Sequence, residues 1–179
     1  PLLEAAATAG IRPIIFRQEG TGIHMVDGYS RVTNGKRVGV FMMQNGPGAE
    51  NAFGGVAQAY AESVPILLLP AGMARDKRGV HPNFYPTRSF ETITKWSEEI
   101  NMVERVPDLM RRAFAKLRSG RPGPVLLEIP QDVAESEFPE ELFNYEPPRS
   151  VRQQADPSDV SRAVAALLGA QRPLIHAGQ

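Results

Sequence analysis

The sequence predicts an α/β fold, in which a mostly parallel β-sheet carries helices on both of its faces. Four short and nearly continuous apolar runs occupy residues 11–16, 37–43, 64–71 and 123–129. Such runs are typical of strands that are covered on both sides, as they are in parallel sheets. Helical segments lie between most of these runs, and strands that alternate with helices favour a parallel sheet with right-handed crossovers.

The composition excludes several classes of protein. The 179 residues predict one domain, or one domain and part of another, and 42% of them are hydrophobic, which is enough for a core. Twenty Lys and Arg residues balance 20 Asp and Glu residues, so neither nucleic acid nor a membrane is expected as the main partner. The absence of Cys excludes disulfides, Cys-ligated zinc and a thiol nucleophile, and it agrees with a cytoplasmic location.

The first part of the chain alternates helices with strands. We predict helices at 1–9, 18–33 and 47–63, and strands at 11–16, 37–43 and 64–71. The segment 18–33 places its apolar residues at helical spacing. Pro47 stands near the first position of the third helix, where proline is favoured.

The second part begins with a long charged loop at 72–89, and a loop of this length inside a compact domain is usually functional. The predicted elements after it are a short helix at 90–96, a strand at 100–103, a helix at 107–119 and a strand at 123–129. A Pro-rich stretch follows, and then a helix at 160–168, capped by Asp156 or Ser158, and a strand at 173–177.

These patterns divide the chain into a first domain at 1–135, a linker at 136–157 and the beginning of a second domain at 158–179. The first residues read as a helix already under way, and the last ones as a strand that meets a Gly turn. We therefore expect the sequence to be a piece of a longer protein.

Two strand-to-helix junctions are the candidate functional regions. Glu19 follows the first predicted strand and opens a helix, a position that the helix dipole alone favours by under about 1 kcal/mol. Gly46-Pro47-Gly48 forms the second junction, where glycine permits a tight turn and close approach of the backbone to a ligand. A purely structural turn explains either junction taken alone.

The helix after the second junction is rich in small residues, including Gly54 and Gly55. Small residues allow another element to pack closely, and that element is either the sheet of the same chain or a helix of a second subunit. Several other motifs are missing: the sequence contains no GxGxxG turn, no GxxxxGK[ST] loop, no HExxH pair and no GxSxG elbow. Metal binding by the scattered histidines is not expected.

Taken in order, a set of short segments resembles the N-terminal, pyrimidine-binding domain of the thiamine-diphosphate-dependent enzymes, and most closely the acetolactate synthases. The resemblance covers about residues 1–135, and its first member is Arg17-Gln18-Glu19. The other segments are Asp27-Gly28-Tyr29-Ser30-Arg31-Val32-Thr33, Gly46-Pro47-Gly48-Ala49-Glu50-Asn51, Ser63-Val64-Pro65-Ile66, Gly120-Arg121-Pro122-Gly123-Pro124-Val125 and Ile129-Pro130-Gln131-Asp132-Val133.

The resemblance implies a thiamine-diphosphate-binding fold and a reaction on a 2-oxo acid. The family glutamate that matches Glu19 hydrogen-bonds the cofactor's aminopyrimidine and activates it. The other positions implied to bind cofactor are Gln44, Gly46, Pro47, Gly48 and Asn51. The resemblance also implies magnesium, FAD in some relatives, and a dimer or tetramer in which two copies share each site.

Departures from the family pattern leave alternatives open. The family's diphosphate and magnesium motif, a Gly-Asp-Gly followed some distance on by Asn, is absent, as is the first strand with its Gly-Val-Pro-Gly turn. We therefore expect this chain alone to be inactive. The loop at 79–89 lacks the Ala-Phe-Gln-Glu of acetolactate synthases, and within it His81 and Arg88 are candidates for contacting a substrate carboxylate. A decarboxylase of another 2-oxo acid, a CoA-linked relative and a non-catalytic dimerisation module remain the alternatives.

Overall fold

The computed structural model describes residues 2–149 and 154–177, and a sheet of four parallel strands lies at its centre. Four short 3-10 segments lie between the main elements, at Arg75–Lys77, Glu91–Ile93, Val103–Arg105 and Glu140–Leu142. In chain order the helices and strands are α1 (Leu2–Thr8), α2 (Glu19–Val32), β1 (Gly39–Met43), α3 (Pro47–Ala61), β2 (Ile66–Gly72), α4 (Pro86–Ser89), β3 (Trp96–Glu99), α5 (Val106–Arg118), β4 (Val125–Pro130), α6 (Gln131–Ala134) and α7 (Pro157–Gly169).

The strand order across the sheet is β1-β2-β4-β3, and every pair is parallel. Gly39 pairs with Ile66, Leu68 with Leu126, and Trp96 with Val125. The carboxyl ends of all four strands therefore lie along one edge, where ligands bind in open α/β sheets. This confirms the predicted parallel sheet.

Two apolar clusters cover the two faces of the sheet. One joins residues of α2 and α3 to β1 and β2, with Ile23 and Phe41 among its buried side chains. The other joins α5 to β4, with Leu109 and Leu127 fully buried. Strand residues alternate between the two clusters because side chains point alternately to opposite faces. The prediction of helices on both faces is confirmed.

Two predicted strands are wrong. Residues 11–16 run without regular structure, and Ile11, Ile14 and Ile15 are 64%, 63% and 75% exposed. No strand within the described residues pairs with this segment, so its β-branched composition has no sheet to join. Residues 173–177 form no strand either, and Leu174 is 90% exposed there for the same reason.

The region between β2 and α5 also differs from the prediction. The segment 90–96 was predicted to be a helix, but it holds only a 3-10 turn and the first residue of β3. The strand predicted at 100–103 lies instead at Trp96–Glu99. Ile100 is buried just after this strand. Because the prediction relied on apolar residues such as Ile100, it placed the strand several residues too far along the sequence.

The predicted linker and the last helix carry little buried surface. The linker includes residues 150–153, which lie outside the described residues, as do Pro1 and residues 178–179. Asp156 caps α7, because its Oδ1 accepts a hydrogen bond of 2.8 Å from the Ser158 N–H. No residue of α7 is buried.

In the described ranges, no helix has the length and apolar character needed to cross a bilayer.

Candidate functional site

The structure brings the two predicted junctions into contact. Glu19 is the first residue of α2, and Asn51 lies in the first part of α3. The Asn51 Nδ2 donates a hydrogen bond of 3.3 Å to the Glu19 Oε2. Helix α3 begins just after β1, at the edge where the parallel strands end, and the start of α2 lies beside it. Two positions far apart in the sequence therefore meet at this edge.

The second junction is a tight turn with a left-handed glycine. Gly46 has φ 66° and ψ −116°, and its N–H donates to the Asn45 Oδ1 over 2.8 Å. Pro47 is the first residue of α3, as predicted. The Ala49 N–H donates to the Gln44 carbonyl over 3.0 Å and closes the turn. A side chain at position 46 would be strained, because L-residues rarely adopt a positive φ.

Gly48 leaves space that the neighbouring side chains fill. A Cβ at this position would lie 3.0 Å from the Gln44 Cβ and 3.3 Å from the Glu19 Oε1. Both distances are tighter than ordinary contacts, so the half-buried Glu19 carboxylate rests directly against this turn. Five of the six predicted cofactor-contact positions therefore belong to one turn and the start of α3, and Glu19 packs against them.

A cleft of about 1030 Å³ opens at the same edge of the sheet. Gln44, Gly46 and Pro47 form one wall, and residues 81–84 of the long loop form another. Apolar side chains from the ends of the strands make up much of the remaining lining. Glu19, Gly48 and Asn51 are not part of this lining. The predicted residues thus divide into a group that faces the cleft and a group beside it.

The loop between β2 and α4 is held by its own contacts. The Gly79 N–H donates to the Tyr85 hydroxyl over 2.7 Å, and the Asn83 Nδ2 donates to the Lys77 carbonyl over 2.9 Å. The Arg88 guanidinium lies over the Tyr85 ring, 5.4 Å from its centroid. Of the two candidates for contacting a substrate carboxylate, His81 lines the cleft and Arg88 does not.

An ion pair joins the start of this loop to α6, the short helix that follows β4. The Arg75 Nε donates to the Asp132 Oδ2 over 2.5 Å, and the Arg75 N–H donates to Oδ1 over 3.1 Å. Desolvation raises the pKa of Asp132, but the hydrogen bonds and charge of Arg75 outweigh it and hold that pKa below its usual value. Asp132 stands 57 positions from Arg75 in the sequence, and nothing in the local sequence signals this pairing.

Glu128, a buried side chain in the last part of β4, is not among the residues predicted from the sequence. Glu128 is only 3% exposed, and its Oε2 accepts hydrogen bonds from the Thr87 N–H over 3.0 Å and the Thr87 Oγ1 over 2.5 Å. The available signal was a lone acidic residue inside an otherwise apolar strand, which marks a carboxylate that needs partners. Among the described residues, no three His, Asp or Glu side chains are grouped as metal ligands.

Comparison with known proteins identifies the family. The family described as "Thiamine pyrophosphate enzyme, N-terminal TPP binding domain" matches residues 1–100, which is more than half of the chain. Thiamine pyrophosphate is the same compound as thiamine diphosphate. The match covers both junctions, β1, β2 and the long loop, and so includes every predicted site residue.

Similar proteins come from several organisms. The acetolactate synthase large subunit of Buchnera aphidicola subsp. Acyrthosiphon pisum is 32% identical over 94% of this chain and 30% of its own length. The glyoxylate carboligase of Escherichia coli O157:H7 is 35% identical over 94% of this chain and 29% of its own. The crystal structure of benzoylformate decarboxylase from Polynucleobacter necessarius superposes with a TM-score of 0.77 at 26% identity, covering 88% of this chain and 30% of that one.

The chain spans about 30% of the length of the curated relatives that it matches. The resemblance to the thiamine-dependent enzymes inferred from the motifs is confirmed, and so is the fold. The family match over the first 100 residues shows that this chain belongs to the thiamine pyrophosphate enzymes and carries their N-terminal TPP binding domain.

Proposed function

We propose that this chain is the pyrimidine-binding part of a thiamine-diphosphate-dependent enzyme that joins or decarboxylates 2-oxo acids. The observation that carries the proposal is the Asn51–Glu19 hydrogen bond, which fixes a carboxylate against the turn that begins at Gly46. A carboxylate held this way at the edge of a parallel sheet is suited to hydrogen-bond a ligand nitrogen.

The residues of the site fit the pyrimidine ring of the cofactor. The Glu19 Oε2 accepts a hydrogen bond from Asn51, whereas Oε1 accepts none from the residues that the structure describes. Oε1 is therefore available to a protonated ring nitrogen. Gly48 adds no side chain at this point, and its absent Cβ would come within 3.3 Å of that same oxygen.

Each residue in the proposal has a distinct task. Glu19 exchanges a proton with the ring nitrogen, and Asn51 orients the Glu19 carboxylate through its Nδ2. Gln44, Gly46 and Pro47 shape the wall of the cleft beside the ring. When bound, thiamine diphosphate supplies the carbon nucleophile that attacks the carbonyl of the 2-oxo acid.

Acetolactate formation is the first candidate activity, because relatives of that name match 94% of the chain. Decarboxylation of another 2-oxo acid, or chemistry on a CoA-linked substrate, is the second. The loop at 79–89 favours the second candidate, because it places His81 and Phe84 in the cleft where acetolactate synthases carry Ala-Phe-Gln-Glu. A non-catalytic module is disfavoured, since it has no use for Glu19 at this point.

The proposal includes magnesium, whose ligands we assign to parts of the protein outside this sequence because the Gly-Asp-Gly motif is absent here. FAD is a further proposed cofactor, which the absorption spectrum of the purified full-length protein tests.

The division into a domain at 1–135, a linker at 136–157 and a second domain from residue 158 belongs to the same proposal. So does a cytoplasmic location, which cell fractionation tests.

A second copy of the chain is the proposed partner, and the outer faces of α2 and α3 are the proposed contact surface. Met25 and Tyr29 of α2 and Phe53 and Tyr60 of α3 are between 38% and 46% exposed. Apolar residues exposed together on neighbouring helices mark a surface that another protein covers. Among the small residues of α3, Gly55 packs on Ile23 of α2 inside the chain, whereas a Cβ at Gly54 meets nothing within 4 Å, which supports a place for Gly54 on the contact surface.

The experiment uses the full-length protein with thiamine diphosphate, magnesium and pyruvate. Glu19→Gln removes the proton-exchanging group while keeping its shape, and we expect turnover to fall by about 10²-fold or more, the usual contribution of general acid–base groups. Glu91→Gln is the matched control, because it neutralises an exposed carboxylate away from the cleft.

The products identify the branch. Acetolactate as product supports the first candidate, whereas turnover of benzoylformate or glyoxylate without pyruvate turnover supports the second. Equal activity of Glu19→Gln and wild type refutes the proton-exchange role of Glu19. Failure of the wild type to bind thiamine diphosphate, measured by tryptophan fluorescence or calorimetry, refutes the proposed function as a whole.

A further inference from the structure

Glu128 has no task in the proposed reaction, yet it occupies a central position in the fold. It lies on β4, one of the two inner strands, and it points to the same side of the sheet as the buried Leu126. A buried carboxylate is unfavourable unless it is hydrogen-bonded or paired with a cation. Within the residues that the structure describes, Glu128 has no cationic partner, so its hydrogen bonds must stabilise it.

Both hydrogen bonds come from one residue of another element. The Glu128 Oε2 accepts from the Thr87 N–H at 3.0 Å and from the Thr87 Oγ1 at 2.5 Å. A buried side-chain oxygen that loses its hydrogen-bond donors bears the cost of its desolvation, so these two bonds favour the arrangement in which Thr87 stands beside Glu128. The Thr87 carbonyl in turn accepts from the Ser97 Oγ over 2.9 Å, which connects α4 to β3 as well.

The neighbouring strand makes room for this carboxylate. A Cβ at Gly72, the last residue of β2, would lie 2.7 Å from the Glu128 Oε1 and 3.0 Å from its Cγ. Any other residue at position 72 would therefore displace the carboxylate. The backbone of β2, the side chain of β4 and the start of α4 together hold one acidic group in a single arrangement.

The long loop is attached to α4 through a short series of contacts. The N–H groups of Arg88 and Ser89 donate to the Tyr85 carbonyl over 3.1 Å and 3.0 Å, and the Tyr85 hydroxyl accepts from the Gly79 N–H. The residues between these two anchor points include His81 and Phe84, which face Gln44 and Pro47 across the cleft. A movement of α4 would therefore move this wall of the cleft.

We infer that Glu128 is a positioning residue, whose buried carboxylate fixes the start of α4 through Thr87 and thereby sets the distance between the 81–84 wall and the Gln44–Pro47 wall. The effect on substrate binding rests on the proposed function, whereas the effect on the loop does not. Glu128 contacts no ligand in this inference, and it acts on the cleft only through Thr87 and the loop.

The test replaces Thr87, because removing a buried carboxylate can prevent folding. Thr87→Val keeps the shape of the side chain and removes the Oγ1 donor, and Thr87→Ser is the matched control that restores the hydroxyl. Hydrogen–deuterium exchange of the full-length protein is followed in peptides that cover 79–90, 19–32 and 106–118. We expect exchange in 79–90 to rise about tenfold in Thr87→Val, to stay near wild type in Thr87→Ser, and to change little in the other two segments.

Kinetics provide a readout that a loss of stability alone does not produce. With whichever of pyruvate, glyoxylate and benzoylformate the wild type consumes, Thr87→Val should raise KM about tenfold with kcat within about threefold, and Thr87→Ser should restore KM. Glu128→Gln, where it folds, should act in the same direction.

Two results overturn the inference. One is unchanged exchange in 79–90 in Thr87→Val, and the other is equal loosening of all three segments with KM unaffected. If the wild type does not bind thiamine diphosphate, the proposed function fails, while the exchange experiment still judges the role of Glu128.

Discussion

At the scale of single residues, Gly48 limits what can stand beside the Glu19 carboxylate. Gly48→Ala would place a Cβ 3.3 Å from the Glu19 Oε1 and 3.0 Å from the Gln44 Cβ, so both side chains must shift by a few tenths of an ångström. Small displacements of catalytic groups reduce rates strongly, and we expect turnover by the full-length enzyme to fall about tenfold or more. Initial rates at saturating cofactor measure this effect.

Gly54→Ala is the control for this substitution, because it makes the same chemical change in the same helix where a Cβ meets nothing within 4 Å. Replacing glycine by alanine inside a helix stabilises it by up to about 1 kcal/mol. The control should therefore keep full activity and a thermal midpoint at or above that of the wild type. Equal activity of the two variants would show that the contact between Gly48 and Glu19 does not matter.

The chemistry of single residues predicted much of the candidate site. Glu19 at the start of α2, the positive φ of Gly46 and Pro47 at the first position of α3 all follow from local rules, and the structure has them as expected. The contact of Glu19 with Asn51 required the parallel sheet to be in place first. Local rules did not find Glu128, because its partner Thr87 stands 41 positions away in the sequence.

At the scale of elements, the ion pair between Arg75 and Asp132 predicts how the long loop responds to acid. The pKa of Asp132 is below its ordinary value in the fold, so the folded state favours the ionised carboxylate. Its stabilising contribution is present above the unfolded pKa of about 3.9 and is lost as the pH falls through the lower folded value. Side-chain exposures of 42% and 35% place this contribution under about 1 kcal/mol.

Asp132→Asn tests this effect in the full-length protein. The thermal midpoint of the variant should lie slightly below that of the wild type at pH 7, and the difference should shrink as the pH falls below about 3.9 and through the lower folded pKa of Asp132, because the carboxylate then becomes protonated. Protease cleavage within residues 73–85 should increase in the variant at pH 7. A difference that does not shrink on acidification would mean that Asp132 acts through something other than its charge.

The elements that the sequence predicted well are those that pack against other elements of the chain. The helices α2, α3 and α5 and the strands β1, β2 and β4 pack on one another, and their predicted bounds agree with the structure to within a few residues. Residues 11–16 and 173–177 have strand composition without a paired neighbour, and both stay irregular. Strand propensity mostly reflects the packing that a sheet provides, so composition alone cannot create the strand.

The strand β3 is the opposite case, because it forms a strand although its composition is not typical of one. Its sequence, Trp-Ser-Glu-Glu, lacks the apolar pattern of a buried strand, and within the described residues it lies at the edge of the sheet and pairs with β4 alone. Acidic residues are depleted in strands generally. The backbone pairing of Trp96 with Val125 and of Glu99 with Glu128 determines this strand, and such pairing leaves no trace in the local sequence.

At the scale of the whole molecule, one edge of the sheet carries the candidate chemistry and the outer faces of α2 and α3 carry the proposed subunit contact. The two regions share elements, because Glu19 begins α2 and Asn51 lies on α3. A second copy that packs against these helices therefore approaches the candidate site directly. Under the proposed function, assembly and activity would depend on the same pair of helices.

Gly54→Arg tests that dependence. A Cβ at Gly54 points into open space, so an arginine there should leave the packing of a single chain intact while its charge and bulk block a closely packed partner helix. We expect light scattering of the full-length protein to show a smaller assembly, with activity reduced in proportion to the dissociated fraction. Gly54→Ala, which adds only a methyl group, should keep the wild-type mass.

Concentration separates this effect from unfolding. If the arginine only weakens association, raising the protein concentration should restore both the larger assembly and the activity, because dimerisation follows mass action. A misfolded variant would recover neither. Wild-type mass and wild-type activity in Gly54→Arg would move the subunit contact away from this face, and the exposed Met25, Tyr29, Phe53 and Tyr60 would then need a different partner.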